Sequence, residues 1–585
     1  MPGRHCRAEM RQSHSPRDTC NRLRSIVVKG RVFTSRGKTR AYCMGWRSGG
    51  GPALAVVLPG TLLEFWRVLQ VCVERDCIVI VQAANTGLTE GSTPHGDGYD
   101  REVIIINTRY LDSILLLSGA SQVVAFPGAT LHKLERLLGP HGREPHSVIG
   151  SSCLGASIAG GVANNSGGSL VRRGPAYTEC SLYARVNADG ELELVDKLGL
   201  GIRYESAEDL ITALDAGVLN LEQVDQGHGI ASDSMYEARL RDVEAASPAR
   251  FNANGERLCE ASGCAGKIAI FALRLDTFAR PGRKQTFYLG TNDPRALTEL
   301  RRCILTGFAN LPEVAEYLHR DCFDLADEYG KDTLALIDWL GTEAMPVLFR
   351  WKRRITDILN RIGFLPDNLP DKCLHWLSRL LPDLLPKPLR QYRETYEYHL
   401  ILVMSDDGIA ELRNHLQSMN NGQSTESGLG YFECTGRESE LALLHRFAAA
   451  GAAVRYMIIH EDKVENVLPL DIALKRNDQH WYAPLPDELA DKVVTALFYG
   501  HFLCHVFHQD YLVRKGEDVK AVKQALLQWL DFRGAKYPAE HNVGHLYQAE
   551  DRQQEFYRAL DPTNTFNPGI GGMSKLRHYA DCHLR

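Results

Sequence analysis

From residue 53 onward the chain alternates between two hydrophobic periods. The short apolar runs "ALAVVLPG" (53–60), "CIVIVQAAN" (77–85), "EVIIINT" (102–108) and "QVVAFPG" (122–128) have the length and β-branched content of strands. Between them, "TLLEFWRVLQVCVERD" (61–76) and "ATLHKLERLLGP" (129–140) repeat apolar positions every three or four residues, which predicts amphipathic helices. "CSLYARVNADGELELVDKLG" (180–199) predicts a hairpin turning at Asp189-Gly190, and "SGCAGKIAIFALRLDTF" (262–278) closes this first region. Residues 277–525 are more mixed, and 518–569 reads as helices around a loop at 535–545.

At 585 residues the chain is long enough for several domains. A net charge of −5 argues against a nucleic-acid binder, and no motif of that class is present. Fifteen scattered cysteines with no CxxC pair suit reduced thiols better than a disulfide framework. The most apolar run, "LALLHRFAAAGAAVRYMII" (441–459), carries His445, Arg446 and Arg455 and so does not read as a membrane span. Residues 1–25 hold six arginines without an apolar centre, which excludes a secretory signal and predicts a divergent, disordered extension.

Two stretches break the pattern. "AANTGLTEGST" (83–93) follows a strand directly, and in "GSSCLGASIAGGVANNSGGS" (150–169) fourteen of twenty residues are Gly, Ala or Ser. Backbone approaches a ligand closely only where Cβ atoms are absent, and converging amides are what a pyrophosphate demands. Neither loop is GxGxxG or GxxxxGK[ST]. One such loop alone would serve tight turns; two in one domain point to a nucleotide-type cofactor.

"SIAGGVANNSGG" with "VRRGPAYTE", the upstream "NTGLTEGS" and the C-terminal "LDPTNTFNPG" resemble the vanillyl-alcohol-oxidase family of FAD-binding proteins. The similarity extends from about residue 26 to the C-terminus and is greatest to its respiratory, quinone-dependent D-lactate-oxidising branch. The resemblance implies an α+β fold: a two-subdomain FAD-binding domain over 26–276, an α+β cap domain in two parts, 277–329 and 396–527, a helical basic membrane-binding insertion at 330–395, and a C-terminal segment, 528–585, returning to the FAD and active-site region. It implies that Ala84, Asn85, Thr86, Gly87 and Leu88, with Ser92 and Thr93, wrap FAD from the first loop. Gly150, Ser151, Gly155, Ser157, Ile158, Gly160, Gly161 and Gly168 do so from the second, and Ile268 meets the ring edge. The first loop has no His or Cys where relatives tether the flavin, so FAD is expected to be non-covalent.

Oxidising a 2-hydroxy acid needs a base for the hydroxyl proton. By the same resemblance, "YPAEHNVGH" (537–545) is similar to an E-H-G-x-G element, which implies that His541 is the base and Glu540 its catalytic neighbour. In "GHFLCHVFHQDY" (500–511), His501 and His508 have the H-x6-H spacing of related dehydrogenases, where with Glu540 they hold a divalent metal. Two readings stay open there: a metal set, or histidines that bind the substrate carboxylate or merely pack. Residues 350–393 carry ten Lys/Arg against four Asp/Glu, a net of +6, among Trp351, Phe364, Trp376 and many leucines. That mixture suits an anionic phospholipid surface, against the alternative of a solvated helical face. The implied activity is oxidation of D-lactate to pyruvate with a membrane quinone as acceptor, at the cytoplasmic face of the bacterial inner membrane. The rivals are a related 2-hydroxy-acid dehydrogenase or oxidase, and a non-catalytic membrane-docking subunit of the same fold.

Overall fold

The computed structural model describes residues 15–580 except 148–154, 202–203, 219–228, 342–347, 349–350, 353–354, 357, 360–365 and 422–427. The N-terminal region builds two large sheets and, among the described residues, a two-stranded ribbon of Arg143–Glu144 with Phe278–Ala279. In the first, strands Ala55–Val57, Val103–Asn107 and Ile78–Gln82 run parallel, with the short Val32–Phe33 antiparallel at the edge. These strands are buried on both faces, which is why they read as unbroken apolar runs. The helix Leu62–Glu74 starts where the Thr61 side chain accepts the Glu64 N–H, and its Phe65 ring stacks on Phe271 of the second sheet at 4.6 Å. That sheet is antiparallel, in the order Ile114–Leu117, Gln122–Ala125, Ala269–Asp276, Ser181–Val186, Leu192–Asp196. The last two strands form the hairpin expected about Gly190, whose φ is +85°.

Residues 15–25 correct the expectation of a disordered extension. Pro16–Ile26 is a helix capped by Ser15, and it buries Cys20 and Leu23 in the core beneath the first sheet. Its arginines occupy the solvent side, and too few apolar residues remain for a periodicity to show.

A third, seven-stranded antiparallel sheet forms the other half of the molecule. Its order is Gly430–Glu433, Lys284–Thr291, Tyr398–Ser405, Val314–His319, Val493–His501, Val506–Arg514, Val464–Ala473. One face packs on helices Pro294–Gly307 and Val519–Phe532. The second helix runs across residue 527, so the boundary expected between cap and C-terminal segment falls inside one element: Val522, Leu526 and Leu530 all enter the cap core. The opposite face is covered by helices Arg320–Tyr329 and Gly436–Ile459. The latter is long and apolar enough to cross a membrane. Three of its polar residues find partners within the fold, however: His445 meets the Phe323 carbonyl, Arg446 pairs with Glu316, and Arg455 with Asp332 and Asp371.

The C-terminal segment returns to the first sheet. Phe566 bridges Val79 as an additional parallel strand position, and Asn567 donates to the carbonyls of Gly91 and Ala265. The buried Lys267 fixes this return by donating to Asn564 Oδ1 (2.7 Å) and the Phe566 carbonyl (3.0 Å). Burial brings its pKa down to about 8.

Candidate active site

The first glycine loop leaves the carboxyl end of strand Ile78–Gln82 and is braced from below. Gln82 donates to the carbonyls of Tyr42 and Ser92, and Asn107 to that of Ala83. Asn85 sits at φ +55°, held between Met44 and Ser92. Among the described residues, no backbone N–H from Ala84 to Leu88 finds a protein acceptor. An added Cβ on Gly87 or Gly155 would meet nothing within 4 Å. Amides without an acceptor among the described residues, on a loop with open space at Gly87, are the donor set that an anionic cofactor needs, so the loop fits FAD. Thr93 is fully buried beneath it.

The second stretch becomes a short helix, Ile158–Ala163, capped by Ser157, whose Oγ accepts the Gly160 N–H. Gly161 lies on the buried side of that helix with Ala176 as its neighbour, and Gly168 is buried where its carbonyl accepts from Arg250. Ile268 is buried just before strand Ala269–Asp276. Gly150 and Ser151 lie outside the described residues.

Four adjacent strands of the third sheet carry the histidine cluster. Register sets Glu316 directly opposite His501, Tyr499 opposite His508, and His508 opposite Asp471. Residues opposite one another in a sheet share a face, so the pairs meet. His501 Nδ1 lies 2.6 Å from Glu316 Oε1, and His508 Nδ1 lies 2.5 Å from Asp471 Oδ1. Burial alone would raise the Glu316 carboxyl, but Arg446 at 2.8 Å and His501 pull it down to about 2. Burial opposes ionisation of Asp471 as well, and His508 and His541 hold it well below the usual carboxylate range. The converse holds for His508, which burial would lower and Asp471 raises.

Loop 537–545 lies beside the outer strand of this sheet, where Ala539 N–H donates to the Asp471 carbonyl. His541 Nε2 thereby reaches Asp471 Oδ2 at 2.9 Å, so one carboxylate bridges His541 and His508. Glu540 Oε1 lies 3.2 Å from Arg250 and 3.8 Å from His501 Nε2. The loop then touches the cofactor side, where His545 N–H donates to the Thr89 carbonyl.

The residues singled out for chemistry, His541, Glu540, His501 and His508, therefore converge. The metal set does not assemble to the same degree. His501 and Glu540 approach each other and His508 stands edge-on to His501, but among the described residues no three His, Cys, Asp or Glu side chains are grouped to hold an ion. Glu316, Asp471, Arg446 and Arg250 escaped the sequence reading. The only trace of the first two is a carboxylate in an otherwise apolar strand, "VAEYLH" and "VLPLDIA".

Helices Lys331–Leu340, Leu369–Ser378 and Lys387–Thr395 lie in the 330–395 segment. Trp351, Trp376 and Leu380 are 58, 64 and 71% exposed. The basic charge is partly spent inside the protein. Arg390 pairs with Asp327 and Asp383, Arg393 with Asp324, Lys352 with Asp371, and Lys372 with Glu461. Phe364 lies outside the described residues.

A family profile described as "D-lactate dehydrogenase, membrane binding" matches residues 286–579, and one described as "FAD binding domain" matches 53–196. The chain is 52% identical to the quinone-dependent D-lactate dehydrogenase of Escherichia coli over 96% of this chain and 97% of that one. It is 51% identical to the enzyme of that name from Haemophilus influenzae over 96% and 99%. Among solved structures, p-cresol methylhydroxylase with substrate bound superposes with a TM-score of 0.57 at 11% identity, covering 95% of this chain and 97% of that one. That last likeness is one of fold alone.

Proposed function

The chain belongs to the quinone-dependent D-lactate dehydrogenases, and from that premise we propose how its own residues carry out the reaction. The fold is of the vanillyl-alcohol-oxidase type, and the enzyme oxidises D-lactate to pyruvate with FAD and a quinone acceptor. FAD, when bound, supplies the hydride acceptor. His541 removes the hydroxyl proton. Because its Nε2 is engaged by Asp471, Nδ1 is the atom left to take that proton. Asp471 orients the ring and stabilises the imidazolium that forms, while also fixing His508. His501 and His508, each with Nδ1 committed to a carboxylate, turn their other nitrogens to the substrate carboxylate.

The bridging of His541 and His508 by one carboxylate is the observation that carries this reading, because it gives the base a fixed tautomer. An anaerobic titration tests it: D-lactate should bleach the flavin of the purified enzyme, and L-lactate should not. The enzyme associates with membranes. The contact is assigned to the helical segment around Trp351, Trp376 and Leu380, against anionic phospholipid on the cytoplasmic face.

A further inference from the structure

Arg250 differs in its contacts from the likewise buried Arg301 and Arg476. Arg301 and Arg476 donate chiefly to backbone carbonyls: Arg301 to those of Leu503 and Arg476, and Arg476 to those of Ser247 and Arg239. Carbonyls of that kind make an arginine a structural staple. Arg250 is 3% exposed, and its Nη2 makes two contacts of different kinds. It donates to the Gly168 carbonyl at 2.8 Å and lies 3.2 Å from Glu540 Oε1. Among the described residues its Nε and Nη1 have no hydrogen-bond partner, and Glu540 Oε1 has none beyond its ion contacts. The Arg250–Glu540 pairing is thus the main interaction offsetting the burial of both charges.

Two further contacts show the same bridge. Asn252, two residues on, accepts the Gly167 N–H through Oδ1, and its own N–H donates to the Ala539 carbonyl at 2.9 Å. A Cβ on Gly167 would overlap the Arg250 guanidinium, so the second glycine stretch is stripped at this point for a side chain of the protein itself. Segment 250–252 therefore touches the end of the cofactor stretch on one side and the Glu540-His541 loop on the other. Glu540, in turn, is the neighbour of His501 across 3.8 Å.

We propose that Arg250 is a positioning residue of the dehydrogenase reaction, clamping Glu540 and the adjoining His541 at a set distance from the glycine stretch at Gly167-Gly168. The proposal rests on the reading of Glu540-His541 as the catalytic element. In this role Arg250 acts through Glu540 and His541. Its effect is geometric, and misplacement of a catalytic group by about 1 Å costs on the order of a hundredfold in rate.

The test uses the flavin-loaded enzyme and compares Arg250→Met, Arg250→Lys and Gly167→Ala, with flavin per chain, kcat and KM for D-lactate read for each. Arg250→Met should keep its flavin and lose about a hundredfold in kcat with KM changed less than about threefold, while Arg250→Lys recovers most of the loss. In a Glu540→Gln background the same Arg250→Met change should cost less than about threefold, because the group it positions is already impaired. Wild-type kcat in Arg250→Met, or a full hundredfold loss on top of Glu540→Gln, overturns the proposal. Where Arg250→Met does not fold, Gly167→Ala decides, since it displaces the guanidinium with its charge intact; wild-type kcat there is equally fatal. His541→Ala measured in parallel separates the two readings, since undiminished flavin reduction in that variant removes the catalytic assignment itself.

Discussion

His545 donates its backbone N–H to the carbonyl of Thr89 across 2.9 Å, which fastens the loop bearing His541, the proposed base, to the loop proposed to cradle the cofactor. Gly544 makes the contact feasible. Its φ is +53°, and a Cβ there would overlap the Thr89 carbonyl oxygen. Gly544→Ala should therefore part the two loops. The cost combines a left-handed backbone with overpacking and amounts to roughly 1–3 kcal/mol. Flavin content and the flavin-reduction rate should both fall, as read by absorbance and stopped flow. A variant with wild-type values of both would mean that the seam has no consequence.

The bridging role of Asp471 sets an order among variants. His541→Ala should bind FAD normally and slow flavin reduction by about two to four orders of magnitude. Asp471→Asn should fall between this variant and wild type, at about ten- to a hundredfold, since the base survives but loses its orienting charge. An Asp471→Asn enzyme as fast as wild type would show that the 2.9 Å contact does not steer the base.

Stability should depend on acid through histidines buried in the neutral form. Burial lowers His445 to about 4, although the Phe323 carbonyl bonds its Nε2. Unfolded, it titrates near 6.5. Between about pH 6.5 and 4 the unfolded chain binds a proton that the folded one refuses, so stability is full above this window and drains as pH falls through it. For one such histidine the loss is on the order of 3 kcal/mol. The urea midpoint should drop from pH 7 to pH 5, and His445→Gln should flatten the drop. Identical slopes for both proteins would refute the assignment.

Membrane attachment should depend more on apolar side chains than the raw charge count suggests. Of the basic residues in 350–393, Arg390, Arg393, Lys352 and Lys372 are engaged by carboxylates of the protein. Replacing Trp376 and Leu380 by Ser should weaken co-sedimentation with anionic vesicles by about 10- to 100-fold, from roughly 1.5–3 kcal/mol of lost burial per side chain discounted for partial insertion. Reduction of FAD by D-lactate should be unchanged. Equal binding at low and high salt by both proteins would return this surface to ordinary solvent exposure.

What could be read in advance was local. The glycine loops, His541 with Glu540, and the His501–His508 spacing each lie within a few residues of one another, so each could be singled out in a short window, the histidines and Glu540 through their resemblance to family elements. Glu316, Asp471 and Arg250 could not be read this way, because they reach the site through strand register and chain reversal. Asp471 faces His508 only because two antiparallel strands pair in one register, and a slip of one residue would send it to the opposite face. The helix Pro16–Ile26 was hidden for the opposite reason: its few buried residues are diluted by arginines. Arg390 and Arg393 counted toward a membrane-facing charge because composition cannot tell a basic residue turned to lipid from one turned to Asp327 or Asp324.

The return of the C-terminal segment has a consequence for how the protein is made. Asn567 supports Gly91 from a position 476 residues away, and Phe566 joins the sheet beside Val79. A ribosome delivers the proposed cofactor loop 476 residues before its support. The nascent N-terminal region thus emerges as a half-built receptacle that cannot hold its prosthetic group tightly. Flavin loading becomes a finishing event, and a chain broken off before residue 561 is left colourless and open to proteases rather than partly active.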